Sequence, residues 1–226
     1  MNYNNVTVGK FISRPNRFIA EVEIQGEVKI CHVKNTGRCK ELLTDGARVI
    51  LSRERAATRK TEYDLVAVYK GDTLINMDSQ APCAVFGEWL RECDFFGGIE
   101  LVRPETTYKN SRFDFYLEAD GKKIFAEIKG VTLERDGVLL FPDAPTKRGE
   151  KHLRELAHAR KNGYETYVFF IIQMSDCKYF TPNGETDPAF ARALREVATE
   201  GVNVCALTCE VWKDGMSIKG LAPIIM

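Results

Sequence analysis

Ser111-Arg-Phe-Asp-Phe-Tyr-Leu-Glu-Ala-Asp-Gly-Lys-Lys-Ile-Phe-Ala-Glu-Ile-Lys-Gly130 is the stretch of this 226-residue chain that decides its fold. Asp120-Gly121 lies between two runs rich in aromatic and β-branched residues, and a two-residue type I′ turn needs positive φ at both of its positions, which Asp-Gly tolerates. The stretch therefore predicts a hairpin with Ala119 opposite Lys122, Leu117 opposite Ile124, Phe115 opposite Ala126 and Asp114 opposite Glu127. Side chains alternate across a strand. One face then carries Phe113, Phe115, Leu117, Ile124, Ala126 and Ile128 and must meet a core. The other carries Arg112, Asp114, Tyr116, Phe125, Glu127 and Lys129. Carboxylates set directly across a sheet repel, and burying the pair raises one pKa strongly. A divalent cation, Mg²⁺ or Mn²⁺, removes the conflict. Lys129 beside it would orient or deprotonate a water or stabilise developing charge, a centre suited to phosphodiester cleavage. The plain alternative is a solvated Glu–Lys face. Tyr116 and Phe125 on that face, and Gly130 at its end, argue for a covered surface instead.

Outward from the hairpin, the pattern predicts a helix over Val85–Phe96, a strand at Ile99–Thr106, a helix from Thr146 to Asn162 and a strand at Thr166–Gln173. A helix over Pro188–Glu200 and a last strand at Val202–Leu207 follow. Thr166–Gln173 is almost continuously apolar, as a strand covered on both faces must be. The order α-β-β-β-α-β-α-β gives a mixed sheet with helices on both sides. Residues 1–80 read differently. Short alternating runs at Phe18–Ile24, Val28–Val33, Arg48–Ser52, Tyr63–Tyr69 and Thr73–Asn76 are punctuated by Gln25-Gly26, Asp45-Gly46 and Gly71-Asp72, with a short helix at Arg38–Leu43. Five strands and one small helix in this length predict an OB-like β-barrel. The expected division is thus 1–80, a nucleic-acid-binding barrel, and 81–226, a mixed α/β domain.

Composition limits the partners. Lys+Arg and Asp+Glu both number 32, so the net charge is zero and the chain is not broadly basic; nucleic-acid affinity needs a local patch. Residues 1–80 hold 13 basic against 10 acidic side chains. Their basic residues gather as Lys34, Arg38 and Lys40 and as Arg53, Arg55, Arg59 and Lys60, near Phe18, Tyr63 and Tyr69. This is the combination with which an OB barrel tracks phosphates and stacks bases, although solvated loops and core aromatics would read the same way. Arg112 and Arg148 are further candidate phosphate contacts. Hydrophobic residues make up 44% of the chain, enough for a sizeable core. The longest apolar run, Tyr167 to Ile172, falls short of the ~18 residues of a membrane span. Seven scattered cysteines and no apolar leader suit a reduced, cytoplasmic protein with no membrane partner. Cys205 and Cys209 lack a second pair for a zinc site.

At Asp114 and Glu127-Ile-Lys129 the chain resembles the PD-(D/E)xK nuclease superfamily, with Phe113 where proline is usual. More specifically, it resembles the sugar fermentation stimulation protein A family. Arg14-Pro-Asn-Arg-Phe18, His32-Val-Lys-Asn-Thr-Gly-Arg38, Asn76-Met-Asp-Ser-Gln-Ala-Pro82, Ser111-Arg-Phe-Asp-Phe115, Glu127-Ile-Lys-Gly-Val-Thr-Leu-Glu134, Phe141-Pro-Asp-Ala-Pro-Thr146 and Tyr179-Phe-Thr-Pro-Asn183 carry that resemblance. It implies an OB-fold joined to a restriction-endonuclease-like domain, DNA as the partner and a link to sugar (maltose) utilisation. It also implies Asp114 and Glu127 as metal ligands and Lys129 as the residue acting at the water. Glu88 of the first helix is then either solvated or a further carboxylate, and Lys151 or His152 either structural or a polar residue approaching the site. Asp143 reads as a turn residue. The expected activity is metal-dependent phosphodiester hydrolysis. The alternatives are a non-catalytic DNA-binding regulator on the same scaffold and, less well supported, an enzyme acting on a small phosphorylated sugar.

Overall fold

The structure is a computed structural model and describes residues 1–35, 37–53, 60–175 and 177–226. Two sheets and three helices form its frame. Strands β1 (Val6–Asn16), β2 (Ile19–Ile24), β3 (Glu27–Val33), β4 (Arg48–Arg53), β5 (Tyr63–Lys70) and β6 (Thr73–Asn76) make the first sheet, in the order β3-β2-β1-β4-β5-β6. A parallel pairing of Cys31–Val33 on β3 with Tyr63–Leu65 on β5 closes it into a five-stranded, OB-like barrel. Its interior is filled by inward residues such as Ala20, Val22, Val49, Leu51, Leu65 and Val68. Strand β1 was not anticipated, because Gly9 and Pro15 interrupt its alternation. The helix expected at Arg38–Leu43 is a single turn, closed by the amides of Leu42 and Leu43 on the carbonyl of Cys39.

After β6 the chain enters α1 (Ala81–Trp89), which starts earlier and ends sooner than its periodicity predicts. Pro82 in the first turn sets the start, since its fixed φ suits a helix and its missing N–H costs nothing there. Strands β7 (Ile99–Tyr108), β8 (Ser111–Ala119) and β9 (Lys122–Val131) follow, then the short β10 (Leu133–Arg135) and β11 (Val138–Phe141). Helix α2 (Lys147–Lys161), β12 (Glu165–Ile172), β13 (Tyr179–Pro182), α3 (Pro188–Thr199), β14 (Asn203–Trp212) and β15 (Gly215–Leu221) complete the order. The second sheet runs β15-β14-β12-β9-β8-β7, with β9, β12 and β14 parallel; β10, β11 and β13 make a small third sheet. These three short strands and β15 carry too few alternating positions to be read from sequence. The expected last strand runs on to Trp212 and turns back as β15.

Both faces of the second sheet are covered, as the apolar run of β12 requires. Phe169 and Ile171 join Val85, Phe86 and Leu90 of α1, while Val168, Phe170 and Ile172 join Leu153 and Leu156 of α2 and Leu194 and Val197 of α3. Helices α2 and α3 begin at side-chain caps. Thr146 accepts the amide of Gly149 at 3.0 Å, and Asp187 accepts those of Phe190 (3.0 Å) and Thr146 (2.8 Å), tying both helix starts together.

A polar seam joins the barrel to the second sheet. Gln173, just past β12, donates to the side chain of Asn76 (2.9 Å) and the carbonyl of Asp78 (3.0 Å), and its own amide donates to Val131 at the end of β9 (3.0 Å). Lys34 bridges Asp64 (3.2 Å) and Asp78 (3.4 Å), and Asn76 donates to the Tyr3 hydroxyl (2.8 Å). No helix among the described residues is long and apolar enough to cross a membrane.

Candidate active site

The hairpin turn is as the sequence dictates: Asp120 (φ 48°) and Gly121 (φ 72°) are both left-handed, and Phe115, Leu117 and Ala119 pair with Ala126, Ile124 and Lys122. The ladder stops at Phe115 and Ala126, one step short of the acids. Beyond that point Asp114 turns its side chain toward β9, and its Oδ2 accepts the amide of Ile128 at 2.7 Å. A side-chain oxygen thus takes the place of the next strand's carbonyl, and β8 and β9 part at a fork. The irregularity moves Phe113 across the sheet. Instead of joining Phe115 and Leu117, it packs beside Phe125 (ring centroids 5.1 Å) and edge-on to His152 (6.3 Å). The expected apolar face therefore loses Phe113, because the alternation does not continue through Asp114.

Glu127 is 2% exposed and lies on the helix α2 face of β9. Its Oε1 accepts from the Lys129 ammonium (2.5 Å) and from His152 Nδ1 (2.5 Å). Arg148, one turn earlier on α2, donates from Nε to His152 Nε2 at 3.4 Å, so Nε2 is the acceptor and Nδ1 carries the proton given to Glu127. Burial pushes the Glu127 carboxyl up, but the His152 hydrogen bond and the Lys129 charge outweigh it and hold the group below its ordinary value. Asp114 goes the other way: burial and then the charge of Glu127 raise it to about 6. The two acids are thus pushed apart, one firmly ionised and one reluctant. Glu127 Oε2 is buried and has no hydrogen-bond partner among the described residues.

Cys83, which sequence reasoning passed over, and Gly130, which it read as a sign of a covered surface, frame this pair. Cys83 of α1 feels Asp114 and Glu127; burial, then those charges, raise its thiol to about 12, which keeps it protonated. Gly130 is pinned between the Gln173 side chain and Pro82, whose Cγ would lie 2.8 Å from an added Cβ.

The structure brings Asp114, Glu127, Lys129, His152 and Arg148 together, and places the other candidates elsewhere. Glu88 is 45% exposed and paired with the Met1 ammonium at 2.5 Å. Lys151 is exposed and donates to the Asn110 carbonyl at 2.7 Å. Arg112 faces Glu105 (3.2 Å) on the surface of β8. Lys34 is held in the seam. Arg53 pairs with Glu62, and Lys60 is exposed. Arg55 and Arg59 lie outside the described residues. Arg38 and Lys40 are exposed beside a hollow at the barrel surface.

A closed OB-like barrel joined to a mixed, restriction-endonuclease-like sheet, with a carboxylate pair and a lysine where two strands part, defines the class of this protein. Residues 12–77 match the model of the SfsA N-terminal OB domain, and residues 80–215 that of the sugar fermentation stimulation protein RE domain. The chain belongs to the sugar fermentation stimulation protein family. The sugar fermentation stimulation protein homolog of Desulfitobacterium hafniense (strain Y51) is 58% identical over 216 residues, covering 96% of this chain and 94% of the relative. The homolog of Clostridium beijerinckii is 51% identical over 226 residues, the full length of both. The structure of Pyrococcus furiosus SfsA in complex with Ca²⁺ has the same fold, with a TM-score of 0.92 at 24% identity over 100% of this chain and 98% of that one.

Proposed function

We propose that this protein binds nucleic acid, with DNA the expected partner, and hydrolyses phosphodiester bonds with the help of a divalent cation. The observation that carries the reading is Glu127 Oε2, a buried carboxylate oxygen with no partner among the described residues, beside an Asp114 carboxyl whose ionisation is resisted by burial and by Glu127 itself. A sequence selected for stability alone would fill that position, since an unsatisfied buried oxygen costs ~1–3 kcal/mol or more. Both donors are carboxylate oxygens, the set that hard cations prefer. Among the described residues no group of three or more His, Cys, Asp or Glu side chains is arranged to hold a metal ion, so Asp114 and Glu127 would hold Mg²⁺ or Mn²⁺ with waters or phosphate oxygens completing the shell, as is common for Mg²⁺. That Pyrococcus furiosus SfsA forms a complex with Ca²⁺ supports a divalent ion in this reading.

Such an ion, when bound, supplies charge to a phosphoryl oxygen and acidifies a water. The chain's own residues do the rest. His152, positioned by Arg148, holds Glu127 Oε1 and leaves Oε2 without a partner among the described residues. Lys129, 18% exposed, keeps its ammonium at the rim of the site, where it orients a water or meets the charge that develops on phosphate oxygens. Phe113 and Phe125 close the helix-side floor against solvent. The test is a cleavage assay with Mg²⁺ or Mn²⁺ over single-stranded, duplex and branched substrates. Wild-type protein should cut, and Glu127→Gln or Lys129→Ala should lose at least about a hundredfold in rate. Cleavage that survives in Glu127→Gln overturns the assignment. Binding without any cleavage by the wild type favours the second reading, a DNA-binding regulator on a nuclease scaffold, for which the hydrogen bonds that Lys129 and His152 both give to Glu127 Oε1 are the supporting observation.

A further inference from the structure

At the far end of the barrel, Arg14, Asn16, Arg17, Arg38, Lys40 and Leu43 surround a hollow of about 310 Å³. Arg14 is its frame. Its guanidinium donates to four carbonyls, those of Arg17 (2.8 Å), Asn35 (2.5 Å), Gly37 (2.8 Å) and Arg38 (2.8 Å), clamping the turn after β1 to the loop after β3. Its four terminal N–H donors are taken up by backbone, while its buried Nε has no partner among the described residues. The remaining cations, Arg17, Arg38 and Lys40, are exposed, and among the described residues none of the three is ion-paired with a carboxylate. Some other surface cations of this neutral chain have such partners, among them Lys29 with Glu27, Lys70 with Glu134, Arg135 with Glu185 and Lys161 with Glu200, whereas Lys123 and Lys213 have none among the described residues. Among the described residues no acidic side chain lines the hollow. Arg17, Arg38 and Lys40 gather where the Arg14 clamp joins two segments; Glu41 and Asp143 line the neighbouring cleft that Arg38 shares, but not this hollow, whose cationic rim marks a place for an anion.

The floor identifies what the anion is attached to. Leu43 and the aliphatic stems of the arginines and lysine give an apolar base below a cationic rim. Beside it the Arg17 guanidinium lies 4.7 Å over the ring of Phe18, which is 44% exposed, a platform of the kind on which bases stack. A volume of about 310 Å³ suits one small planar group and its phosphate, not the width of a duplex. The loop also leads toward the candidate active site: Asn35 shares a second cleft with Asp143, Gln173 and Gly130, and Gly130 follows Lys129.

We propose that this hollow is a nucleotide subsite that takes one unstacked base of a single-stranded nucleic acid, with its phosphate on Arg17, Arg38 and Lys40. The partner class rests on the nucleic-acid reading above, but the subsite does not depend on catalysis. The test is fluorescence anisotropy of the full chain in EDTA, with a labelled oligothymidylate of about a dozen nucleotides and a duplex of the same length. The double variant Arg38→Ala/Lys40→Ala changes only exposed side chains and leaves the Arg14 clamp in place; an unchanged melting temperature checks its fold, and Arg38→Glu is the second variant. Single-strand affinity should fall about tenfold or more, and its slope against log salt should flatten by about 1.4, two contacts at ~0.7 each. Duplex affinity should change by no more than about threefold. An unchanged single-strand affinity and slope overturns the subsite, and so does an equal loss on both substrates, which would describe a general phosphate patch. Glu127→Gln should bind the oligothymidylate as the wild type does. A wild type that binds through this hollow and never cleaves defeats the nuclease reading alone, whereas an active nuclease indifferent to the double variant defeats the subsite alone.

Discussion

Asp114→Asn should make the metal-free protein more stable at neutral pH. The substitution keeps the shape, and Asn can still accept the Ile128 amide that Asp114 Oδ2 takes at 2.7 Å. What it removes is a charge that burial and Glu127 disfavour. The Asp114 carboxyl is raised to about 6 from an ordinary 3.8, and each tenfold change in proton affinity is worth about 1.4 kcal/mol. The ionised group therefore costs the native state about 2–3 kcal/mol, the lower figure allowing for its partial exposure. The sign follows from proton counting. Between pH ~4 and ~6 the folded chain holds a proton that the unfolded chain has released, so wild-type stability falls as pH rises through that window and stays lowered above it. Urea unfolding in EDTA should show Asp114→Asn ahead of wild type by that margin at pH 7.5, with the gap closing near pH 4. Titrating groups remote from the pair act equally on both proteins and drop out of the difference. Mg²⁺ or Mn²⁺ at saturating concentration should stabilise the wild type more than the variant. A variant no more stable than wild type at pH 7.5 in EDTA would refute the electrostatic reading of the pair.

Glu127→Ala leaves Lys129 and His152 without their shared acceptor, and unfolding should show a loss of about 3–5 kcal/mol, the usual result of breaking a buried ion pair. His152→Ala frees Glu127 to rotate; cleavage should drop while oligonucleotide binding, followed by anisotropy, stays within about twofold. Gly130→Ala puts a methyl against Pro82 and Gln173, so thermal melts should register a destabilisation of about 1–3 kcal/mol. Asp187→Ala removes the acceptor for two amides at the starts of α2 and α3, with an expected cost of about 1–2 kcal/mol in urea titration.

The hairpin was legible because its signals are local: Asp120-Gly121 can hardly do anything else between two β-rich runs, and the register follows by counting. The doubly covered strand around Phe169 was legible for the same reason, since no solvent-facing residue interrupts it. What escaped is what long-range contacts decide. Phe113 changes faces because the Asp114 carboxylate competes with the backbone ladder, and period-two counting carries no trace of that competition. The meeting of Glu127 with His152 depends on how α2 lies across the sheet, which spacing along the chain leaves open. Glu88 and Lys151 looked equally well placed in sequence, yet each found another partner, the Met1 ammonium and the Asn110 carbonyl. Strand β1 was hidden by Gly9 and Pro15, residues that ordinarily end a strand. The short β10, β11 and β13 exist only because they have one another to pair with.

Gln173 has a mechanical consequence. Its side chain fastens Asn76, at the end of β6, and Asp78, two residues on, while its main-chain amide holds Val131 at the end of the strand that bears Lys129, so barrel and sheet share a rivet instead of a tether. Two modules on a loose leash would sample many separations. Riveted, they act as a ruler: a strand anchored on the barrel would meet Glu127 at a constant number of nucleotides from its anchor, and loosening Gln173 would blur that spacing without touching either end.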